Sequence, residues 1–151
     1  MDIQWLCLDF TQLSTHQLYD VVKLRVDVFV VEQNCAYEEL DNKDRMQGVK
    51  HLLGYVGDEL VAYARLLPPG SSVANCSSIG RVLIKSIVRK KGVGDQLIKM
   101  AIQYNQHYWL GKKISIEAQT HLERFYQKHG FATQSLPFDL DGISHIEMTL
   151  A

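Results

Sequence analysis

The stretch Ile79-Gly80-Arg81-Val82-Leu83-Ile84, followed by the basic run from Lys85 to Lys91 and then by Gly92-Val93-Gly94, decides how this chain folds. Its aliphatic first part reads as a strand, its cations as an exposed loop, and its glycines as a tight turn opening a helix. A helix start presents free backbone N–H groups and a partial positive charge, and a glycine lets a phosphate approach with no Cβ in the way. Between Arg81 and Lys99, six cations (Arg81, Lys85, Arg89, Lys90, Lys91, Lys99) stand against one acid, Asp95, a balance of +5 in a chain whose formal charge is −1. The ligand this stretch predicts is anionic and phosphorylated.

Two common phosphate-binding schemes fit poorly. A Walker A loop needs a Lys and a Ser or Thr after its last glycine, where this chain has Asp95-Gln96. A dinucleotide turn needs a third small residue where Leu97 stands, and Glu117 matches its ribose-binding acid only by distance. The dinucleotide reading is kept as a competitor. A ligand-free turn is the bland alternative, and the surrounding cations weigh against it.

Outward from that stretch, residues 3 to 10 alternate as an edge strand, and Ser14-Thr15-His16-Gln17 has the form of a capping box ahead of a helix over 15 to 29. Residues 30 to 49 are acidic and poor in apolar positions, predicting a short helix or an ordered loop. Strands over 50 to 56 and 60 to 67 flank the turn Gly57-Asp58-Glu59, and a polar loop runs from Pro68 to about Ser78. After the opening stretch, apolar positions three and four apart predict a largely buried helix over 93 to 108. Residues 113 to 118 follow as a strand, and Leu122, Phe125, Tyr126 and His129 share a helix face ahead of Gly130. A hairpin of 131 to 138 with 143 to 149 around Asp141-Gly142 closes the chain.

At 151 residues and 46% hydrophobic, the chain reads as one domain over 1 to 151 with a sizeable core. The near-neutral charge argues against a general nucleic-acid or membrane-surface partner. No apolar run approaches the roughly 18 residues of a membrane span, and Met1-Asp2-Ile3-Gln4-Trp5 lacks the form of a signal peptide, so a cytoplasmic location is expected. Cys7, Cys35 and Cys76 are odd in number and widely spaced, which predicts free thiols, and the six histidines show no metal-ligand spacing.

Arg89-x-x-Gly92-x-Gly94 after a strand resembles the acyl-CoA motif of the GNAT superfamily of N-acetyltransferases. Leu24-Arg25, Val28 to Gln33, Leu60 to Leu66, Ile79 to Val82, Phe125-Tyr126-Gln127 with Gly130-Phe131, and Asp141 to Ile146 resemble its ElaA-like branch. The resemblance implies an α/β fold of the α+β type, with a mixed, mainly antiparallel sheet flanked by helices and splayed at the cofactor site. It implies acetyl-CoA as co-substrate and no metal. Val82, Leu83 and Ile84 would line the pantetheine arm, with main-chain groups of Val82 and Ile84 pairing its amides. Arg89, Lys90, Lys91, Gly92, Val93, Gly94 and Asp95 would surround the pyrophosphate, with the Asp95 carboxylate turned away to cap a neighbouring N–H. Tyr126 would be the general acid. Glu32 and Gln33 would border the acceptor cleft, and Arg81 would be either a sheet-face ion pair or a contact to the acceptor.

The base stays open, because the strand at 79 to 84 has no carboxylate where some relatives carry a glutamate. Glu117, His51 and His145 are the candidates. Between Glu32 and Asp44, five acids against one lysine give −4, a field expected to steer a cationic amine toward the acceptor side. The expected partners are a small-molecule or peptide amine and, as one allowed state, a second copy of the chain. A non-catalytic acyl-CoA-binding or sensor module is the competing function.

Overall fold

The computed structural model of the chain describes residues 2–151. Eight strands form one sheet in the order β1-β2-β3-β4-β5-β8-β6, with β7 paired to β8. They are β1 (Gln4–Asp9), β2 (Lys50–Val56), β3 (Glu59–Leu67), β4 (Cys76–Ile84), β5 (Lys113–Gln119), β6 (Ala132–Thr133), β7 (Phe138–Leu140) and β8 (Ile143–Leu150). All pairings are antiparallel except β4 with β5. That parallel pair is joined by α2 (Val93–Tyr108), the crossover a parallel pair requires.

The two faces carry separate cores. On one, Leu52, Val61, Ala64 and Ile116 of the sheet pack against Leu97, Ile98 and Ala101 of α2. On the other, Val21, Leu24 and Val28 of the first helical segment cover Leu53, Tyr63 and Leu83. α3 (Glu123–Lys128) lies beside the α2 face and contributes Tyr126 to its core. Alternating side-chain direction along each strand is what supplies both layers.

The first helix, α1 (Thr15–Arg25), begins as expected: Ser14 Oγ accepts from Gln17 N–H at 3.0 Å and Gln17 Oε1 accepts from Ser14 N–H at 2.9 Å. It then widens into a π-helical segment, Val26–Glu32. Gln33 N–H and Cys35 N–H donate five residues back, to Val28 and Val30 carbonyls, each at 3.1 Å. The remainder, to residue 49, is an ordered loop with one 3-10 turn at Lys43–Arg45.

Two boundaries differ from the sequence reading. β4 begins at Cys76 rather than 79, and residues 76 to 78 make all of its parallel pairing with β5 among the described residues. Residues 131 to 138 do not form one strand: β6 pairs near the end of β8 at Ala132–Thr149, and β7 pairs near its start at Phe138–His145. Phe131 turns into the core, and Pro137, without an N–H, interrupts the ladder between them.

Candidate active site

β4 and β5 stay paired only through Cys76–Lys113, Ser77–Ile114 and Ser78–Ser115. The cause lies one strand over. Arg65 stands opposite Gly80 and Tyr63 opposite Leu83, so β4 carries one residue more than β3 between those pairs. This is a β-bulge, and such an extra residue bends the strand that carries it. Arg81, inside it, has φ of +51°, a conformation uncommon for a residue with a side chain.

Past the bulge, the backbone of Leu83 pairs with β3, and Lys85 N–H donates to the Val61 carbonyl at 2.7 Å. Main-chain groups alternate sides along a strand, so those of Val82 and Ile84 face the gap that β5 has vacated. The gap opens into a cleft of about 650 Å³ between β4, β5, α3 and the π-helical segment.

At the end of this gap stands the start of α2. Gly92, its N-cap, has φ of +79°, and a Cβ there would meet nothing within 4 Å. The first helical bond runs from Gln96 N–H to the Gly92 carbonyl at 3.2 Å, and no side chain caps the end. The N–H groups of Val93, Gly94 and Asp95 precede that bond and have no partner within the helix. Gly94 sits against the Phe125 ring, with room for an ordinary contact only.

The local field is smaller than the charge count implied. Lys85 pairs with Glu59 at 2.5 Å, Arg89 with Glu32 at 2.5 and 3.0 Å, and Arg81 with Glu39 and Asp41. Lys90, Lys91 and Lys99 have no ion-pair partner among the described residues, and Lys90 and Lys91 flank the turn. The Asp95 carboxylate points away from the helix start, as expected, but it caps no N–H: its Oδ1 meets Lys128 Nζ at 2.9 Å and His129 Nε2 at 2.8 Å. Leu83 and Val93 are buried, one under α1 and one in the α2 core, so only their backbones lie near the turn and the gap.

Tyr126 is 6% exposed and lines the cleft. Its hydroxyl makes no hydrogen bond to any described residue, and burial pushes it up to about 12. The three base candidates separate clearly. His51 is corrected outright: it is buried away from the cleft, with Nε2 2.8 Å from the Asp44 carbonyl and Nδ1 2.6 Å from Tyr63 hydroxyl. A carbonyl only accepts, so Nε2 carries the proton and Nδ1 accepts a hydrogen bond from the Tyr63 hydroxyl, leaving no lone pair free. Burial also holds its imidazole below the usual histidine range. Glu117 lies on β5 at the cleft, exposed and without a charged partner among the described residues. His145 lines the cleft, and its Nδ1 donates to the Ile143 carbonyl at 2.8 Å, leaving Nε2 as the free acceptor.

The acidic segment is also corrected. Glu39, Asp41 and Asp44 do not present an open negative field, because three arginines consume them. Arg25 binds Glu39 Oε1 at 2.9 Å and Asp44 Oδ1 at 2.6 Å; Arg65 binds Asp41 Oδ1 at 2.8 Å and Asp44 Oδ1 at 3.0 Å. Arg81 Nη2 reaches the Glu39 carbonyl at 3.0 Å and Asp41 Oδ2 at 3.3 Å, and Tyr37 hydroxyl donates to Glu39 Oε2 at 2.7 Å. Arg81 thus forms an ion pair, and it also lines the cleft. Burial by itself would raise the Asp41 carboxyl, but the Arg65 guanidinium outweighs it and holds the group at about 2.

Gln33, Cys35, Tyr37, Asp141 and His145 also line the cleft. Gln119 Nε2 approaches Gln33 Oε1 at 3.5 Å, and Cys35 Sγ donates to the Asp141 carbonyl at 3.2 Å, tying the π-helical segment to the far side of the sheet. Glu32 is at the rim, engaged with Arg89. Sequence reasoning missed Arg25 and Arg65 as partners of the acids. For Arg65 the signal was present: it interrupts the apolar run of β3, and a charge buried there requires a counter-charge. Among the described residues no group of three His, Cys, Asp or Glu gathers to hold a metal ion, and no helix is long and apolar enough to cross a membrane.

Comparison with known proteins agrees with this architecture. The family model described as an acetyltransferase (GNAT) domain matches residues 17–151. Protein ElaA of Escherichia coli strain K12 is 41% identical over 146 residues, covering 97% of this chain and 95% of its own. The crystal structure of Escherichia coli ElaA superposes with a TM-score of 0.94 at 39% identity, over 99% of this chain and 100% of that one. An acyl-CoA N-acyltransferase from Pseudomonas aeruginosa superposes with a TM-score of 0.94 at 36% identity, with the same coverage.

Proposed function

The chain belongs to the GNAT acetyltransferase family, in its ElaA-like branch, and on that premise we propose that it transfers an acetyl group from acetyl-CoA to an amine by direct attack in a ternary complex. The observation that carries this reading is the vacated edge of β4 leading to the uncapped start of α2. An extended arm bearing amides and ending in a pyrophosphate matches that order of donors and acceptors. The Pseudomonas relative, named for acyl-CoA N-acyltransfer, supports the donor class.

Acetyl-CoA supplies the activated acyl carbon and a thiolate leaving group. Val82 and Ile84 hold the pantetheine arm through main-chain groups. The N–H groups of Val93 to Asp95, with Lys90 and Lys91, hold the pyrophosphate; each charge-assisted bond contributes about 1.5 to 3 kcal/mol.

Two protons must move. A lysine-like amine of pKa about 10.4 is about 0.04% neutral at pH 7, a deficit of about 4.6 kcal/mol, so a basic acceptor needs a base. His145 Nε2 is the best-placed group, since its other nitrogen is already committed; Glu117, acting through water, is the second choice. Tyr126 serves the departing sulfur. A thiolate of pKa about 8.5 is a weaker base than a tyrosinate near 12, so Tyr126 stabilises the thiolate as hydrogen-bond donor, and the proton lost by the amine completes the thiol. Burial of Tyr126 strengthens such a bond.

A sensor module that binds acyl-CoA without transfer is the alternative, favoured by the lack of a carboxylate on β4. Thermal shift with acetyl-CoA and NAD in parallel tests the donor class. Stabilisation by acetyl-CoA is expected; stabilisation by NAD alone contradicts it.

A further inference from the structure

Asp95 is the third residue of α2, within the turn whose N–H groups would face the pyrophosphate. A carboxylate there suits the helix dipole but repels a phosphate. Its position is fixed from another element: Oδ1 is 2.9 Å from Lys128 Nζ and 2.8 Å from His129 Nε2, both at the C-terminal end of α3. Neither Asp95, Lys128 nor His129 lines the cleft, whereas Gly94, next to Asp95, and Phe125, about one turn before Lys128 and His129, do. Phe125 packs its ring against both Gly94 and the His129 imidazole, the latter with centroids 5.3 Å apart. The end of α3 is thereby fastened to the start of α2 on the side away from the ligand.

We propose that Lys128 and His129 are positioning residues for the cofactor, which hold the Asp95 carboxylate off the phosphate site and so keep the start of α2 receptive to an anion. The inference rests on the acetyl-CoA reading above. It gives α3 two jobs: Tyr126 faces the departing sulfur, and two residues later the same helix end draws off the one acid at the pyrophosphate turn. Without those partners, the Asp95 side chain is free to rotate toward the N–H groups of its own helix turn, where carboxylates are well accommodated. There it competes for the donors that the pyrophosphate uses and adds a like charge beside it.

The test is a cycle of variants titrated with coenzyme A and, separately, with acetyl-pantetheine, which has the arm and no phosphates. The double variant K128M/H129Q is expected to bind coenzyme A about fivefold more weakly at low salt, the scale of one added charge several ångströms from a dianion in a solvated setting. Its affinity for acetyl-pantetheine should be unchanged. Adding Asp95→Asn to the double variant should return the coenzyme A affinity to that of Asp95→Asn alone, which also shows that the altered α3 still folds. Equal losses for both ligands, or no rescue by Asp95→Asn, would overturn the inference while leaving the acetyl-CoA reading in place. Wild-type protein that binds no coenzyme A would overturn both.

Discussion

Arg81 Nε lies 2.8 Å from Glu39 Oε2, joining the left-handed residue of the β4 bulge to the acidic loop on the far side of the cleft. The contact is ionic, since the N–H does not aim at the oxygen; the hydrogen bonds from this guanidinium are made by Nη2. The bulge that opens the sheet is therefore held from outside the sheet. Arg81→Ala is expected to cost about 2 kcal/mol in denaturant unfolding, through loss of charge-assisted bonds to Glu39 and Asp41. Arg81→Gly should cost less, because glycine relaxes the positive φ.

Asp44 Oδ1 accepts from both Arg25 and Arg65, and Arg25 is 1% exposed. Asp44→Asn removes the shared counter-charge from two buried guanidinium groups and should destabilise the fold by about 3 to 5 kcal/mol. Glu39→Gln should act in the same direction. An altered acceptor KM with unchanged stability would contradict this structural assignment of the acids and return them to a steering role.

Acid should weaken the same network. Arg65 holds the Asp41 carboxyl at about 2 in the folded protein, below its value of about 3.9 in an unfolded chain. A depressed folded pKa contributes stability that is complete above the unfolded value and lost as pH falls through the folded one. Asp41 thus contributes about 2 kcal/mol above pH 5, declining between about pH 4 and pH 2. Asp41→Asn should flatten that part of the stability profile, as followed by urea midpoints.

Tyr126→Phe should lower kcat by about a hundredfold, the scale of one hydrogen-bond donor to charge that develops in the transition state, with acetyl-CoA affinity changed by less than about twofold because the hydroxyl bonds nothing in the protein. Steady-state rates and calorimetric titration on the same preparation separate the two. An unchanged kcat would mean that another donor serves the departing sulfur, whereas no turnover in the wild type would favour the sensor reading.

Much of the fold was legible because it rests on local pattern. The capping box at Ser14 and Gln17, the Gly57-Asp58 turn and the apolar face of α2 all act over a few residues. The splay of β4 from β5 was legible only by family resemblance, because the bulge depends on how Tyr63 and Arg65 register against Leu83 and Gly80 across two strands. Charge counts misled for the same reason. Arg25, Arg65 and Arg81 come from three separate elements to meet acids of a fourth, and no short window of sequence holds these arginines together with those acids. His51 looked like a base at a strand opening, yet the long-range pairing with Tyr63 and the Asp44 carbonyl occupies both its nitrogens. The widening of α1 into a π-helical turn at Val26–Glu32 left no pattern in sequence distinct from an ordinary helix end.

Acetyl transfer to an amine across the splayed sheet is read out by free-thiol release from acetyl-CoA over a panel of amines. Thiol is expected to appear only when protein, acetyl-CoA and an amine acceptor are all present, and to slow sharply in Tyr126→Phe and in His145→Gln. Thiol release that proceeds at the same rate without any amine, or undiminished in both variants, would contradict transfer to an amine at this site.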